Sequence, residues 1–166
     1  MKPLLLFLFF QFSLFSQTLY LLPDDSDNAI HYLMQKFSHA KKSILIITHE
    51  FDHYRLKKAL IKTAKRGLDI TLISAKGTLQ KQLALYKNIN VRDLTAINSP
   101  VREGEISFTI IIIDDRLTCK LSTSLKTKHI KHDIGLFTCK DDKNYVQSIR
   151  SKLSPLLLRS TPYLEN

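Results

Sequence analysis

Residues 105–114, Glu-Ile-Ser-Phe-Thr-Ile-Ile-Ile-Ile-Asp, carry the most information about the fold of this chain. Four consecutive isoleucines that end at Asp114-Asp115 predict a buried β-strand followed by a tight turn. Because side chains alternate along a strand, Ser107 and Thr109 are expected to share one face, with apolar residues on the other. Two small hydroxyls followed by an aspartate fit either ordinary sheet packing or a reactive site.

Strands and helices are predicted to alternate on the N-terminal side of this strand. A short apolar run at 18–22 ends at Pro23, and apolar residues recur at helical spacing through 27–40. The same alternation continues with strands at 43–51, 68–75 and 89–94 and helices at 53–66 and 78–87. This β-α-β order predicts a parallel sheet that helices cover.

The C-terminal part of the chain has a different pattern. A polar loop at 95–104 precedes the isoleucine strand, and short connections between the strands that follow favour antiparallel pairing. The elements expected there are strands at 116–125 and 132–139 and a helix that begins at Asp141 or Asp142 and ends near Leu153, before Pro155. The predicted fold class is α/β, with a mixed, mainly parallel sheet sandwiched between helices.

Composition indicates one globular domain with a strong positive charge. A chain of 166 residues fits a single domain, and its 44% hydrophobic content excludes wholesale disorder. Lys and Arg outnumber Asp and Glu by 25 to 15, which gives a formal net charge of +10 at pH 7. Such an excess predicts anionic partners, either nucleic acid or an acidic membrane surface. With no Trp in the chain, sequence-specific readout through stacked bases is not expected.

The first 16 residues have the layout of a secretory signal peptide. Lys2 supplies the positive charge, the stretch 3–15 is almost wholly apolar, and Ser16 is a small residue at the cleavage position. We therefore expect a signal peptide at 1–16, a single domain at 17–166, and export to the periplasm or outside the cell. The rival interpretation is an uncleaved membrane anchor formed by residues 4–22, which contain several polar residues and a predicted strand.

Cys119 and Cys139 are the two cysteines of the chain. Their spacing fits no redox dipeptide motif, and two cysteines are too few for a metal cluster. Both fall in predicted strands that are candidates for neighbours. In an oxidising compartment a disulfide between them is allowed, so a disulfide and two buried free thiols both remain open.

Three stretches carry a resemblance to a known family. They are Tyr-Leu-Leu-Pro-Asp-Asp-Ser at 20–26, Ala-Lys-Lys-Ser-Ile at 40–44, and Ala-Leu-Ile followed by Ala-Lys-Arg-Gly-Leu-Asp-Ile within 59–70. Their order and spacing resemble the phospholipase D superfamily, and most of all its short, single-motif branch, which includes secreted bacterial endonucleases. The resemblance covers nearly all of 18–153 and implies a phosphodiesterase fold.

The family's signature, His-x-Lys-x4-Asp, falls on Ser107, Thr109 and Asp114. As the resemblance implies, the histidine attacks phosphorus, the lysine holds the phosphate oxygens and the aspartate supports the site. A second family motif, Gly-Ser-x-Asn, aligns so that its serine is Ser122 and its asparagine position is Ser124. The alignment keeps the aspartate and one serine, but it replaces both the nucleophile and its cation.

These replacements favour a protein without phosphodiesterase activity. A serine is a nucleophile only beside a base, and an uncharged threonine does not neutralise phosphate. Enzymes lower barriers of this kind by roughly 20 kcal/mol, so the loss of both groups removes most of the chemistry. An alternative is a phosphodiesterase of the endonuclease or phospholipase D type with a substitute nucleophile, for which His49 and His132 are candidates.

A non-catalytic role in binding or scaffolding is therefore the first prediction. A non-specific polyanion, either nucleic acid or anionic phospholipid, is expected to contact the basic segments, through Lys58, Lys62, Lys65, Lys126, Lys128 and Lys131. Single-motif members of the family pair two chains, so the resemblance implies a homodimer. A heterodimer with an intact relative, in which this chain is the structural partner, is the other alternative. No metal site and no cofactor are predicted.

Overall fold

The computed structural model of the chain describes residues 17–75, 81–94 and 106–163. The predicted signal peptide, the loop at 95–104 and the first residues of the helix expected at 78–87 lie outside the described residues.

Eight strands and five helices make up the described part of the chain. The strands are β1 (Gln17–Leu22), β2 (Ser43–Thr48), β3 (Asp69–Ala75), β4 (Ile89–Leu94), β5 (Thr109–Ile113), β6 (Leu117–Leu121), β7 (Gly135–Asp141) and β8 (Ser160–Pro162). The helices are α1 (Ser26–His39), α2 (Tyr54–Ala64), α3 (Lys81–Ala84), α4 (Thr127–His132) and α5 (Lys143–Arg159). Two of these elements, α4 and β8, were not predicted from the sequence.

All eight strands form one sheet in the order β1-β7-β6-β5-β2-β3-β4-β8. The mixed α/β class is confirmed, but the expectation of a mainly parallel sheet is wrong. Only β2 with β3 and β3 with β4 are parallel, and every other neighbouring pair is antiparallel. The reason is that α1 carries the chain from β1 at one edge to β2 at the centre, so these two strands never pair. Instead β1 lies against β7, and β8 returns to β4.

Helices cover both faces of the sheet. On one face α1, α2, α3 and α4 pack over a large apolar cluster that includes Phe37, Ile46 and Leu60. On the other face α5 packs over a smaller cluster, to which Ile47 and Val146 belong. Since β2 is buried on both faces, its sequence is a nearly continuous apolar run rather than an alternation of apolar and polar residues.

The last helix, α5, ends later than the sequence predicted. Its start is as expected, because the side chain of Asp142 accepts hydrogen bonds from the backbone N–H groups of Asn144 and Tyr145. The helix continues past Pro155 to Arg159, however. Leu156 and Leu157 pack onto the apolar cluster beneath α5, and this packing holds the turn beyond the proline.

Cys119 and Cys139 lie directly opposite each other in neighbouring strands, β6 and β7. Their sulfur atoms are 2.00 Å apart and form a disulfide. Both residues are buried in the apolar cluster under α1 and α4. The disulfide therefore links two central strands of the sheet rather than a pair of surface loops.

Candidate functional site

Strand ends bring two of the residues aligned with the family motifs, Thr109 and Ser124, to one edge of the sheet. Ile47 pairs with Ile110 and Leu121 pairs with Thr109, so the end of β2, the start of β5 and the end of β6 meet there. We call this region the motif edge and define it by Thr48, Thr109, Ser124 and His129. It contains the position that the resemblance aligns with the catalytic lysine, Thr109, and the position aligned with the motif asparagine, Ser124.

Ser107 does not lie in the catalytic strand. β5 begins at Thr109, and the Ser107 side chain is exposed ahead of it. The predicted strand starting at residue 105 is thus wrong for the described residues 106–108. The ladder stops because β2 ends at Thr48 and β6 ends at Leu121, which leaves no partner strand beyond Thr109.

Thr109, at the lysine position of the family motif, is fully buried. Its hydroxyl donates to the carbonyl oxygen of Thr123 at 2.7 Å and contacts the hydroxyl of Thr48 at 2.7 Å. The Thr48 hydroxyl in turn accepts from the backbone N–H of Leu125 at 3.2 Å. The hydroxyls thus close a network that ties β2, β5 and the segment after β6 together.

Asp114, the retained acid of the motif, lies past the opposite end of β5. Five residues of strand separate it from Thr109, a distance of roughly 16 Å. Its carboxylate accepts hydrogen bonds from the backbone N–H groups of Lys41, Lys42 and Ser43, the shortest at 2.7 Å. These bonds hold the junction between α1 and β2. The structure therefore does not bring Asp114 to the motif edge.

Ser122 joins two strands by a local contact. Its hydroxyl accepts from the backbone N–H of Leu136 at 2.9 Å. A Cβ atom built on Gly135 would lie 2.7 Å from that hydroxyl oxygen, which explains why glycine occupies position 135. In this arrangement Ser122 supports the pairing between β6 and β7.

Ser124 and His129 form a pair that sequence reasoning did not single out. The Ser124 hydroxyl lies 2.6 Å from Nδ1 of His129, and Ser124 is 8% exposed. The spacing of five residues becomes a contact only because α4 folds the chain back after β6, and α4 was not predicted. Within the described residues no second hydrogen bond to the His129 ring is present, so its Nε2 is available for a ligand.

The other histidines occupy different environments. His132, one of the two predicted substitutes, is exposed in the last turn of α4. His49, the other, follows β2, and its carbonyl oxygen accepts from the N–H of Ala75. His53 is 6% exposed, and its Nδ1 has no partner among the described residues. Burial lowers the pKa of His53, and Arg55 lowers it further, so the folded chain favours the neutral ring.

Lys126 is the lysine next to the motif edge in sequence, and it is paired. Its ammonium lies 2.6 Å from a carboxylate oxygen of Glu50, and this hydrogen bond raises the pKa of Lys126. Asp52 accepts from the N–H of Thr127 at 2.7 Å. Acidic groups therefore compensate the positive charge where α4 begins.

The remaining predicted lysines are exposed: Lys58 and Lys62 on α2, Lys65 directly after its last residue, and Lys128 and Lys131 on α4. In the described ranges no cluster of three metal-ligating side chains occurs. None of the helices in the described ranges is long and apolar enough to cross a bilayer.

Comparisons with known proteins agree with this fold. Among curated protein sequences none matches significantly. The structure superposes on NucT from Helicobacter pylori with a TM-score of 0.80 at 21% identity, covering 90% of this chain and 99% of that one. Nuc from Salmonella typhimurium, a phospholipase D family member, gives a TM-score of 0.73 at 17% identity, with 90% and 99% covered. Phosphatidylserine synthase from Haemophilus influenzae Rd KW20 gives 0.69 at 12% identity, with 93% and 42% covered.

A family model provides the assignment that identities this low do not. The model described as "Cardiolipin synthase, PLD-like domain" matches residues 33–154, which run from α1 to α5 and include the whole motif edge. The resemblance inferred from the sequence is confirmed, and the chain belongs to the PLD-like domain family of the phospholipase D superfamily.

Proposed function

We propose that this chain is an exported, non-catalytic member of the PLD-like family that binds phosphate-bearing polyanions through exposed lysines. The observation that carries the proposal is Thr109, which is fully buried with its hydroxyl bonded on two sides. A neutral, enclosed side chain at the lysine position does not neutralise a phosphate in a transition state.

The surroundings of Thr109 support the same conclusion. Ser107 is exposed ahead of β5, and no base is bonded to it in the described part of the chain. Glu50 compensates the charge of Lys126, so this lysine does not replace the missing cation. Both groups that the family chemistry requires are therefore absent from the positions where the resemblance expects them.

Binding is a separate property, because it needs surface charge and no reactive strand. The exposed lysines of α2 and α4 supply that charge, and the chain has a net charge of +10. Contacts of this kind release counterions from a phosphate backbone and weaken as salt rises. The partner classes we propose are nucleic acid and anionic phospholipid, which share the phosphodiester group.

The binding proposal can be tested with fluorescence anisotropy, using a labelled single-stranded oligonucleotide and, separately, vesicles with and without phosphatidylglycerol. We expect affinity that falls with salt, and a shallower salt dependence in a Lys58→Gln/Lys62→Gln/Lys65→Gln variant. Each lost phosphate contact changes the logarithmic slope by about 0.7 to 0.9. The matched control is Lys143→Gln/Lys152→Gln on α5. Equal slopes in both variants would contradict the proposed surface.

Export is the second part of the proposal. It is supported by the apolar leader at 1–16 and by the disulfide between Cys119 and Cys139, since disulfides persist in oxidising compartments. Cell fractionation with mass determination of the isolated protein tests it. The expected result is a periplasmic or secreted chain that begins at Gln17; a membrane-bound chain that keeps residues 4–22 would favour the anchor.

One observation favours a second candidate function, a phosphodiesterase with a relocated nucleophile. In the tautomer in which Nδ1–H of His129 donates to the Ser124 hydroxyl oxygen, 2.6 Å away, Nε2 carries the lone pair that attacks phosphorus, and one ester oxygen of the phosphodiester leaves as the alcohol. This arrangement predicts slow phosphodiester cleavage that His129→Ala abolishes. The control His132→Ala, an exposed histidine on the same helix, leaves it unchanged. Absence of turnover in the unmodified protein would remove this candidate.

Association of two chains, which the resemblance implies, is also proposed here. Light scattering on the purified protein distinguishes a homodimer from a monomer. If the protein alone is monomeric, mixing it with an intact single-motif relative tests the heterodimer, and a complex with one copy of each chain is the result that this alternative predicts.

A further inference from the structure

A groove of about 520 Å³ lies between α1 and α2, and its lining includes none of the four residues that define the motif edge. Met34 and Ala59 contribute apolar side chains to it and also pack against the large apolar cluster. Tyr54, which is 68% exposed, stands at one end of the groove. Two hydroxyls of the lining are already bonded to backbone carbonyl oxygens, that of Thr63 to Phe37 at 3.0 Å and that of Ser38 to Gln35 at 2.8 Å.

Positive charge surrounds this apolar floor. The basic side chains that line the groove are Arg55, Lys58, Lys62 and Arg66, and no Asp or Glu lines it. Arg55 is paired with Asp27 at 3.0 Å, and Arg66 donates to the carbonyl oxygens of Phe37 and Ala40 at the end of α1. Both arginines are therefore engaged in holding α1 against α2.

Lys58 and Lys62 are the other two basic residues that line the groove. They lie one helical turn apart on α2, and within the described residues neither is paired with a carboxylate. Like charges at this spacing repel each other and destabilise a helix. An anion that binds between the two ammonium groups relieves this repulsion and gains charge-assisted hydrogen bonds.

We propose that this groove binds an anionic amphiphile, a molecule with an apolar chain and a phosphate or carboxylate head group. The apolar chain of the ligand covers Met34 and Ala59, and its head group lies between Lys58 and Lys62. The volume is within the range of small-molecule sites, roughly 300 to 1,000 Å³. Removing the apolar floor and the alkyl chain of the ligand from water favours binding.

The apolar floor distinguishes this site from the polyanion surface proposed above. A nucleic acid backbone needs the lysines but gains nothing from Met34 or Ala59, whereas an amphiphile needs both parts of the groove. The inference goes beyond the proposed function and does not depend on whether the motif edge is catalytic. The two proposals share Lys58 and Lys62, so the decisive variants are those that change the floor alone.

The test is isothermal titration of the purified protein with dodecyl phosphate, dodecanoate and the uncharged dodecyl maltoside, each below its micelle concentration. Saturable binding of one molecule per chain is expected for either anion or both, and the ratio of the two affinities shows which head group is preferred. The uncharged ligand is expected to bind at least about tenfold more weakly, a difference of about 1.4 kcal/mol. Equal affinity for the uncharged ligand would overturn the proposal.

Variants assign the binding to the groove. Lys58→Gln/Lys62→Gln is expected to lower the affinity for the anionic ligands about tenfold or more. Lys143→Gln/Lys152→Gln on α5 is expected to leave that affinity unchanged. Ala59→Phe fills the floor and is expected to abolish amphiphile binding while oligonucleotide binding persists. If Ala59→Phe does not fold, Met34→Gln makes the floor polar and serves the same purpose. Undiminished amphiphile binding in a folded floor variant, or parallel loss of oligonucleotide binding, would contradict the assignment.

Discussion

The two ends of β5 carry polar residues from the same family motif, yet the fold uses them differently. At one end Asp114 accepts hydrogen bonds from three consecutive backbone N–H groups and fixes the start of β2. At the other end Thr109 takes the lysine position and closes a neutral hydroxyl network. The acid that holds the fold together is therefore present at one end of β5, whereas the residue at the other end carries no charge.

Asp114→Ala is expected to have the largest effect on stability of the substitutions at the two ends of β5. The change leaves three backbone donors without their charged acceptor, and hydrogen bonds to charged groups contribute about 1.5 to 3 kcal/mol each. Because water satisfies these partly exposed donors in part, we expect a loss of about 3 kcal/mol in the free energy of unfolding. Urea denaturation measures it.

Asp115→Ala is the matched control. Asp115 follows in the same turn at φ 54°, beside φ 53° for Asp114, so both variants place alanine in the left-handed region. Among the described residues the one recorded partner of the Asp115 side chain is Arg150, in a partly exposed ion pair, and such pairs contribute about 1 kcal/mol or less. Equal losses in the two variants would show that the turn conformation, and not the carboxylate, accounts for the effect.

Thr109→Val tests the other end of β5. It removes a buried hydroxyl that two groups contact, and leaving buried partners unsatisfied costs about 1 to 3 kcal/mol. Thr118→Val is the control, because the Thr118 hydroxyl is also buried but has no partner in the described residues. Thermal unfolding is expected to show a clear loss for the first variant and no change or a gain for the second. A loss of the same size in both would mean that the network adds nothing.

His53 predicts a pH dependence near the motif edge. Its pKa in the folded state is lowered, chiefly by burial, so the folded chain favours the neutral ring. The resulting stability is present above the ordinary histidine pKa of about 6.5 and is lost as pH falls through the lowered folded value. Denaturation at pH 7.5 and pH 5 should therefore show a smaller difference for His53→Gln than for the unmodified protein. Identical pH dependence in the unmodified protein and in His53→Gln would contradict this prediction.

Ser107→Ala is expected to have the smallest effect. The side chain is exposed and precedes β5, and surface substitutions of this kind change stability by about 0.5 kcal/mol or less. Oligonucleotide affinity should also be unchanged. A marked loss of binding or of any hydrolysis in this variant would restore Ser107 to a working site.

The sequence predicted the order of most elements, because the apolar runs of β2, β3 and β5 and the helical spacing in α1 and α2 are strong local signals. It did not predict which strands pair. The run at 17–22 pairs with β7, more than a hundred residues later, and nothing in its local pattern points to that partner. The resemblance identified the family, but it did not predict which neighbouring strands are parallel and which are antiparallel.

The candidate site was predictable only in part. Motif alignment located Ser107, Thr109 and Asp114, but the exposure of Ser107 depends on where β2 and β6 end. The pair Ser124 and His129 depends on α4, a single short basic helix with little periodicity. The hydrogen-bond donors to Asp114 lie at the junction between α1 and β2, over 70 residues away in sequence. Contacts of this kind come from tertiary packing, which the residue pattern does not encode locally.

We propose that the motif edge does not cleave phosphodiesters. This proposal is tested by a single-turnover assay with purified protein in excess over a labelled single-stranded oligonucleotide or a labelled anionic phospholipid, at a salt concentration where binding is established. We expect bound substrate and no product above the protein-free reaction. Product that forms with the unmodified protein and disappears in His129→Ala, but not in His132→Ala, would contradict it.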